Sequence, residues 1–182
     1  VSNPSSNRRI QLPGGQFQAP GQGSHEAMRP PCSVLLRQCP QVAGLVCINP
    51  ATVPQPEEVL EGLRGLLAAG TEVMPGIGSD IADPDAHESA YPGTPLAPLL
   101  SFLVDGLGPL VGEYPTMQIP LLPLNSPQDH AVDPTQSDQL AELYGGPVRR
   151  VPLERSCHVA TQDYDKQLVF DSTVAFAGEV LA

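Results

Sequence analysis

The chain has 182 residues and a formal net charge of −11, from 20 acidic and 9 basic side chains, and 41% of its residues are apolar. This charge excludes the electrostatic attraction that holds proteins on nucleic-acid phosphates, so nucleic acid is not an expected partner. The length suffices for a domain with a hydrophobic core, and the 22 prolines and 17 glycines predict many loops.

The first 32 residues form a Pro- and Gly-rich head without apolar periodicity, and we expect this head to be irregular. Residues 1–9 lack the apolar run of a secretory signal, and no stretch of 18 apolar residues occurs anywhere in the chain. We therefore expect a cytoplasmic protein with no integral membrane segment. The cysteines have no C-x-x-C spacing, which favours reduced thiols over disulfides or metal ligands. They are Cys32, Cys39, Cys47 and Cys157.

Residues 33–182 are predicted to be part of a folded domain, and they begin with a helix end and a strand. The strand covers residues 44–48, a short apolar run that ends at Asn49 and Pro50. A run of this kind is typical of a strand that is buried on both faces of a parallel sheet.

Residues 54–115 follow a different apolar pattern and are predicted to be a helical cap inserted into the domain. The apolar residues between positions 59 and 67 have helical spacing, with Pro56 at the start and Gly70 after the end. Residues 96–111 are again apolar with a helical pattern. The cap interpretation therefore rests on two helical stretches between predicted strands.

An acidic loop separates the two helical stretches of the predicted cap. It covers residues 75–84 and begins an acidic cluster made of Asp80, Asp83 and Asp85. The spacing of these carboxylates differs from that of a calcium loop. We therefore expect no metal and no cofactor.

Strands and helices alternate in the last third of the chain. Residues 119–124 and 148–153 are predicted strands, and residues 133–144 and 165–181 are predicted helices. This order predicts an α/β fold in which parallel strands are joined by crossover helices. Both strands contain a proline, which predicts that they are edge strands or that their pairing is interrupted.

Two loops that follow the last two predicted strands carry an acid and a base. Asp129 follows the first of these strands and His158 follows the second, at the edge where parallel strands form a crevice. A carboxylate on one imidazole nitrogen fixes the tautomer and leaves the other nitrogen to accept a proton, as acyl transfer requires. Asp129 could equally cap its own loop. We expect the neighbouring His130 to be solvated.

Residues 126–134 (SPQDHAVDP) and 156–165 (SCHVATQDYD) resemble the acid and histidine loops of bacterial carboxylesterases and monoacylglycerol lipases with the α/β-hydrolase fold. The resemblance extends over residues 33–182. It implies the C-terminal part of an α/β-hydrolase fold and a small-molecule carboxylic ester as substrate. It also implies that Asp129 is the acid and His158 the base of a catalytic triad.

The serine nucleophile of that family is not found. The family places it in a G-x-S-x-G turn. Around Ser24, the two glycine positions of that motif are occupied by Gln22 and Glu26. Pro30 and Pro31 follow, and they disfavour the helix that comes after the turn. If no other residue supplies a nucleophile, we expect the chain to be inactive. The alternative is a non-catalytic protein, either a truncated remnant or a binding module that self-associates through an exposed sheet edge.

Overall fold

A computed structural model describes residues 41–88 and 90–182. The predicted head lies outside the described residues, and so do Ser24, Cys32 and Cys39. Within the described part, no helix is both long enough and apolar enough to span a bilayer.

The predicted parallel sheet is present. Its strands are β1 (Leu45–Ile48), β4 (Leu121–Asn125) and β5 (Val151–Pro152), in the spatial order β1-β4-β5. Both pairs are parallel, with Leu45 opposite Leu121 in the first pair. The last two predicted strands are therefore neighbours, and their following loops leave the sheet at the same edge.

Pro123 lies within the central strand β4 and interrupts its pairing with β5. Leu121 forms an isolated bridge with Val148, and regular pairing resumes only at Leu124, opposite Val151. Proline has no N–H to donate, so the ladder is broken at that point. The β5 strand is consequently two residues long instead of the predicted six.

The sheet carries two apolar cores on its opposite faces. All five residues of β4 are buried, as expected for a central parallel strand. One face packs against α5 (Lys166–Leu181), and the other packs near α4 (Thr135–Leu143). The buried residues of the first core are Leu122, Leu124, Leu153, Ala160, Val169 and Phe176. Burial of such a side chain contributes about 1.5–3 kcal/mol at most.

The segment between β1 and β4 contains most of the remaining secondary structure. Its elements are α1 (Glu57–Ala68), β2 (Val73–Pro75), β3 (Gly93–Pro95), α2 (Leu96–Ser101), a π-helical stretch (Phe102–Leu107), α3 (Gly108–Val111) and a 3₁₀ turn (Tyr114–Thr116). The β2 and β3 strands pair antiparallel. Gly70 follows α1 with a φ of 92°, which favours glycine, so the predicted end of this helix is confirmed.

This segment also has an apolar core of its own. The buried residues of that core are Leu60, Leu96, Leu100, Leu103 and Leu107. They come from α1 and from the helical run that begins at Leu96, so the helical stretches predicted for the cap are confirmed. The boundaries of the cap at about residues 54 and 115 remain a prediction.

Candidate functional site

Asp129 lies in the loop that follows β4, and each oxygen of its carboxylate has a separate task. Oδ1 accepts hydrogen bonds from the backbone N–H groups of Ala131 and Val132, both at 2.8 Å. Oδ2 lies 2.8 Å from Nδ1 of His158. The carboxylate therefore caps its own loop and also holds the histidine, so the two interpretations of Asp129 are compatible.

His158 lies six residues beyond β5, and 29 positions after Asp129 in the chain. The Asp129 side chain is only 2% exposed, whereas that of His158 is 33% exposed. A carboxylate on Nδ1 requires the proton on that nitrogen, which leaves Nε2 as a proton acceptor. The structure thus brings together the two residues that the sequence analysis selected, in the orientation that a general base needs.

Asn49 connects the ends of all three strands, and the sequence analysis missed this role. The residue is 5% exposed and has a φ of 45°. Its Nδ2 lies 3.0 Å from Oγ of Ser126, 3.2 Å from the carbonyl oxygen of Cys157 and 2.8 Å from that of His158. Its Oδ1 accepts from the backbone N–H of Ser126 at 2.7 Å. The side-chain amide of Asn49 therefore holds the backbone at Cys157 and His158 in place.

Asp163 binds the backbone of the histidine loop through its side chain. Its side chain is fully buried and accepts from the backbone N–H groups of Ala82, Asp83, Cys157 and Tyr164 at 2.8 to 3.0 Å. Burial alone would raise the pKa of this carboxyl, but the four hydrogen bonds outweigh it and lower the pKa below its ordinary value. The buried carboxylate thus holds the acidic loop and the histidine loop together.

Asp80, the first residue of the acidic cluster, is largely buried and lies between the two histidines. Its side chain is 14% exposed, and its carboxylate contacts both His130 and His158. Burial alone would raise the pKa of Asp80, but hydrogen bonds from the two histidine residues lower it overall. His130 is exposed as expected, but it is paired with Asp80 at 2.7 Å.

Three side chains near the histidine loop could in principle hold a metal ion. Asp80, His130 and Cys157 each place one donor atom within 4.8 Å of the others. Burial, followed by the charges of nearby carboxylates, raises the pKa of the Cys157 thiol, which disfavours the thiolate that binds metals. The Asp80 oxygens also accept hydrogen bonds from His130 and from the backbone of His158.

A cleft of about 430 Å³ opens beside His158. Its walls come mainly from the loops around β2 and β3, and they include Ile77, Tyr91, Pro95 and Val159. These residues are mainly apolar, and glycines also line the cleft. An apolar cleft of this kind, with a titratable side chain in its wall, is typical of a small-molecule binding site.

Two of the known proteins that the chain resembles are described as lipolytic. The chain is 33% identical over 141 residues to a thermostable monoacylglycerol lipase of Bacillus sp. (strain H-257). The matched region covers 75% of this chain and 54% of the lipase. A solved structure from work on the metagenome-derived lipolytic enzymes LipS and LipT is 32% identical, with a TM-score of 0.69. That match covers 80% of this chain and 59% of the solved chain. No protein-family model matches.

The chain carries part of an α/β-hydrolase fold. A Paleococcus ferrophilus monoacylglycerol lipase supports the fold alone, since it is 16% identical, with a TM-score of 0.56 over 76% of this chain and 59% of that lipase. The chain spans about half the length of the curated relative it matches. The predicted fold class is therefore confirmed.

The nucleophile of this partial hydrolase fold is not identified by a hydrogen bond. Among residues 41–88 and 90–182, no serine hydroxyl is bonded to the His158 imidazole. Two buried serines there have other tasks, since Ser126 binds Asn49 and the Cys157 carbonyl, and Ser156 binds Asp165. Ser156 thus connects the histidine loop to Asp165, the residue before α5.

Proposed function

We propose that this chain provides the acid and the base of a carboxylic ester hydrolase, with Asp129 as the acid and His158 as the base. The observation that carries the proposal is the 2.8 Å contact between Asp129 Oδ2 and His158 Nδ1. Its support is the similarity to lipolytic enzymes, one of them a monoacylglycerol lipase. We infer esters of carboxylic acids, including glycerol esters, as the substrate class.

In the proposed reaction, Nε2 of His158 takes the proton from a hydroxyl nucleophile as that oxygen attacks the ester carbonyl. The buried Asp129 carboxylate stabilises the imidazolium that results. The imidazolium then returns the proton to the departing alcohol, and the acyl group is released to water in a second round of the same transfers. Each step uses Nε2 alone, so a fixed Nδ1–H tautomer is a requirement of the mechanism.

We also propose that residues 54–115 act as the cap of this site. Support comes from the separate apolar core of the segment and from the position of its β2 and β3 loops, which line the cleft beside His158. A cap in this position would select substrates by shape and would exclude water from the reacting ester. The cytoplasmic location expected from the sequence stays a prediction.

The proposal is tested by hydrolysis of a short-chain aryl ester by the full 182-residue chain. If a residue of this chain supplies the nucleophile, we expect turnover above the spontaneous rate that falls to background in His158→Ala and falls about 10⁴-fold in Asp129→Asn, because the wrong tautomer then prevails. Glu154→Gln, a change at an exposed carboxylate of the histidine loop, serves as the matched control and should retain the rate. A Ser24→Ala variant shows whether Ser24 supplies the nucleophile.

Turnover that survives in both His158→Ala and Asp129→Asn would refute the proposal. A wild-type chain without any turnover would instead favour the competing proposal, a non-catalytic binding module. One observation favours that alternative, because β1 pairs on one side only among the described residues and so presents a strand edge. Sedimentation over a range of concentrations tests self-association through this edge, with a monomer at all concentrations as the contrary result.

A further inference from the structure

Asp80 joins the loop of the acid to the loop of the base. Its Oδ2 accepts from the backbone N–H of His130 and from that of His158, both at 3.0 Å. Its Oδ1 lies 2.7 Å from Nδ1 of the His130 ring. Its carbonyl oxygen accepts from the N–H of Val159 at 3.1 Å. One residue of the β2–β3 loop thus contacts the immediate neighbour of Asp129 and the backbone of His158 itself.

We propose that Asp80 is a positioning residue that fixes the acid loop relative to the histidine loop, and so holds Asp129 and His158 at hydrogen-bonding distance. This role rests on the proposed function, because the spacing of the pair matters only if the pair transfers a proton. Regular pairing of β4 with β5 ends at Asn125 and Pro152. Beyond that point, hydrogen bonds between side chain and backbone must set the distance between the two loops.

The geometry explains why a carboxylate occupies this position. Two oxygens receive three N–H donors, and an ionised carboxylate accepts at both oxygens without offering a competing donor. An asparagine could keep the two backbone contacts through its single oxygen, and its NH₂ group could face the His130 ring. Asp80→Asn should therefore preserve the spacing largely intact, whereas Asp80→Ala removes every side-chain contact.

The test measures the tautomer of His158 by long-range ¹H–¹⁵N NMR on the labelled 182-residue chain, at a pH well above the ordinary imidazole pKa of about 6.5. The His158 signals are assigned from a His158→Ala spectrum. We expect almost all of His158 as the Nδ1–H form in the wild type and in Asp80→Asn. In Asp80→Ala we expect a mixture of tautomers and His158 amide exchange at least about tenfold faster. Asp85→Ala, a change at an exposed acid of the same loop, should match the wild type.

His130→Ala provides a second variant if Asp80→Ala does not fold. It removes an exposed ring and leaves the backbone contacts of Asp80 in place, so we expect a smaller shift in the same direction. An unchanged His158 tautomer and amide exchange rate in Asp80→Ala, or in His130→Ala if Asp80→Ala does not fold, would overturn the proposal. Because this readout needs no turnover, loss of the Asp80 role and loss of ester hydrolysis are distinguishable results.

Discussion

Removal of the Asp163 carboxylate should destabilise the fold more than removal of any exposed acid. Its two oxygens serve four backbone donors, two from the acidic loop and two from the histidine loop. In Asp163→Asn, one oxygen can still accept, but the new NH₂ group faces N–H donors instead of acceptors. Hydrogen bonds to a charged group contribute about 1.5–3 kcal/mol each, and an unsatisfied buried donor costs about 1–3 kcal/mol. We therefore expect a loss of about 3–5 kcal/mol in the free energy of unfolding.

Urea denaturation followed by circular dichroism measures this loss, with Asp171→Asn as the control. Asp171 is an exposed acid on α5 whose carboxylate accepts from Gln167, and its replacement should change stability by less than about 0.5 kcal/mol. A loss of less than about 1 kcal/mol for Asp163→Asn, similar to that of the control, would refute the reasoning.

The same variant predicts the direction of a pH effect. The pKa of Asp163 is lower in the folded protein than its ordinary value of 3.8. The unfolded chain therefore binds the proton more readily, and the stabilisation is fully present above that ordinary value and is lost as the pH falls through the folded pKa. The stability difference between wild type and Asp163→Asn should accordingly be constant near neutral pH and shrink in acid. A difference that grows in acid would contradict the assignment.

Other substitutions and one labelling experiment test separate parts of the structure. Gly146→Ala places a Cβ 2.8 Å from backbone atoms before β4 and should lower the free energy of unfolding by about 1–3 kcal/mol. Gly62→Ala lies in open space on α1 and should raise it by about 0.5–1 kcal/mol. Thermal unfolding measures both changes. Asn49→Ala should lower the free energy of unfolding by about 3 kcal/mol, because Ser126 and the histidine loop lose their buried hydrogen bonds to the Asn49 amide. Chemical denaturation measures this change. Cys157 should be alkylated at least about tenfold more slowly in the folded than in the denatured chain, as mapped by mass spectrometry, since burial raises its pKa.

The positions of Asp129 and His158 were predictable because they depend on local patterns and one topological rule. Apolar runs located the strands, and the carboxyl ends of neighbouring parallel strands lie at the same edge of the sheet. That rule brings together two residues 29 positions apart without any knowledge of side-chain packing. The catalytic roles of the pair stay predictions, since geometry alone does not demonstrate turnover.

The supporting residues could not be predicted in this way. Asn49 contacts Ser126 and His158 from 77 and 109 positions away, and Asp80 reaches His158 across 78 positions. No periodicity marks the loop that contains Asp80, and its composition resembles that of a solvated acidic loop. Asn49 next to a proline indicates only the end of a strand. Their roles arise from tertiary contacts, which decide whether a polar side chain is buried and what it binds.

The central claim is that Asp129 holds His158 with its proton on Nδ1, so that Nε2 can act as a base. The most direct measurement is the His158 tautomer in the wild-type chain and in Asp129→Asn, by ¹H–¹⁵N NMR above the imidazole titration. The account predicts a nearly pure Nδ1–H form in the wild type and a mixture of tautomers in the variant. A wild-type His158 that carries its proton on Nε2, or a tautomer ratio that Asp129→Asn leaves unchanged, would contradict it.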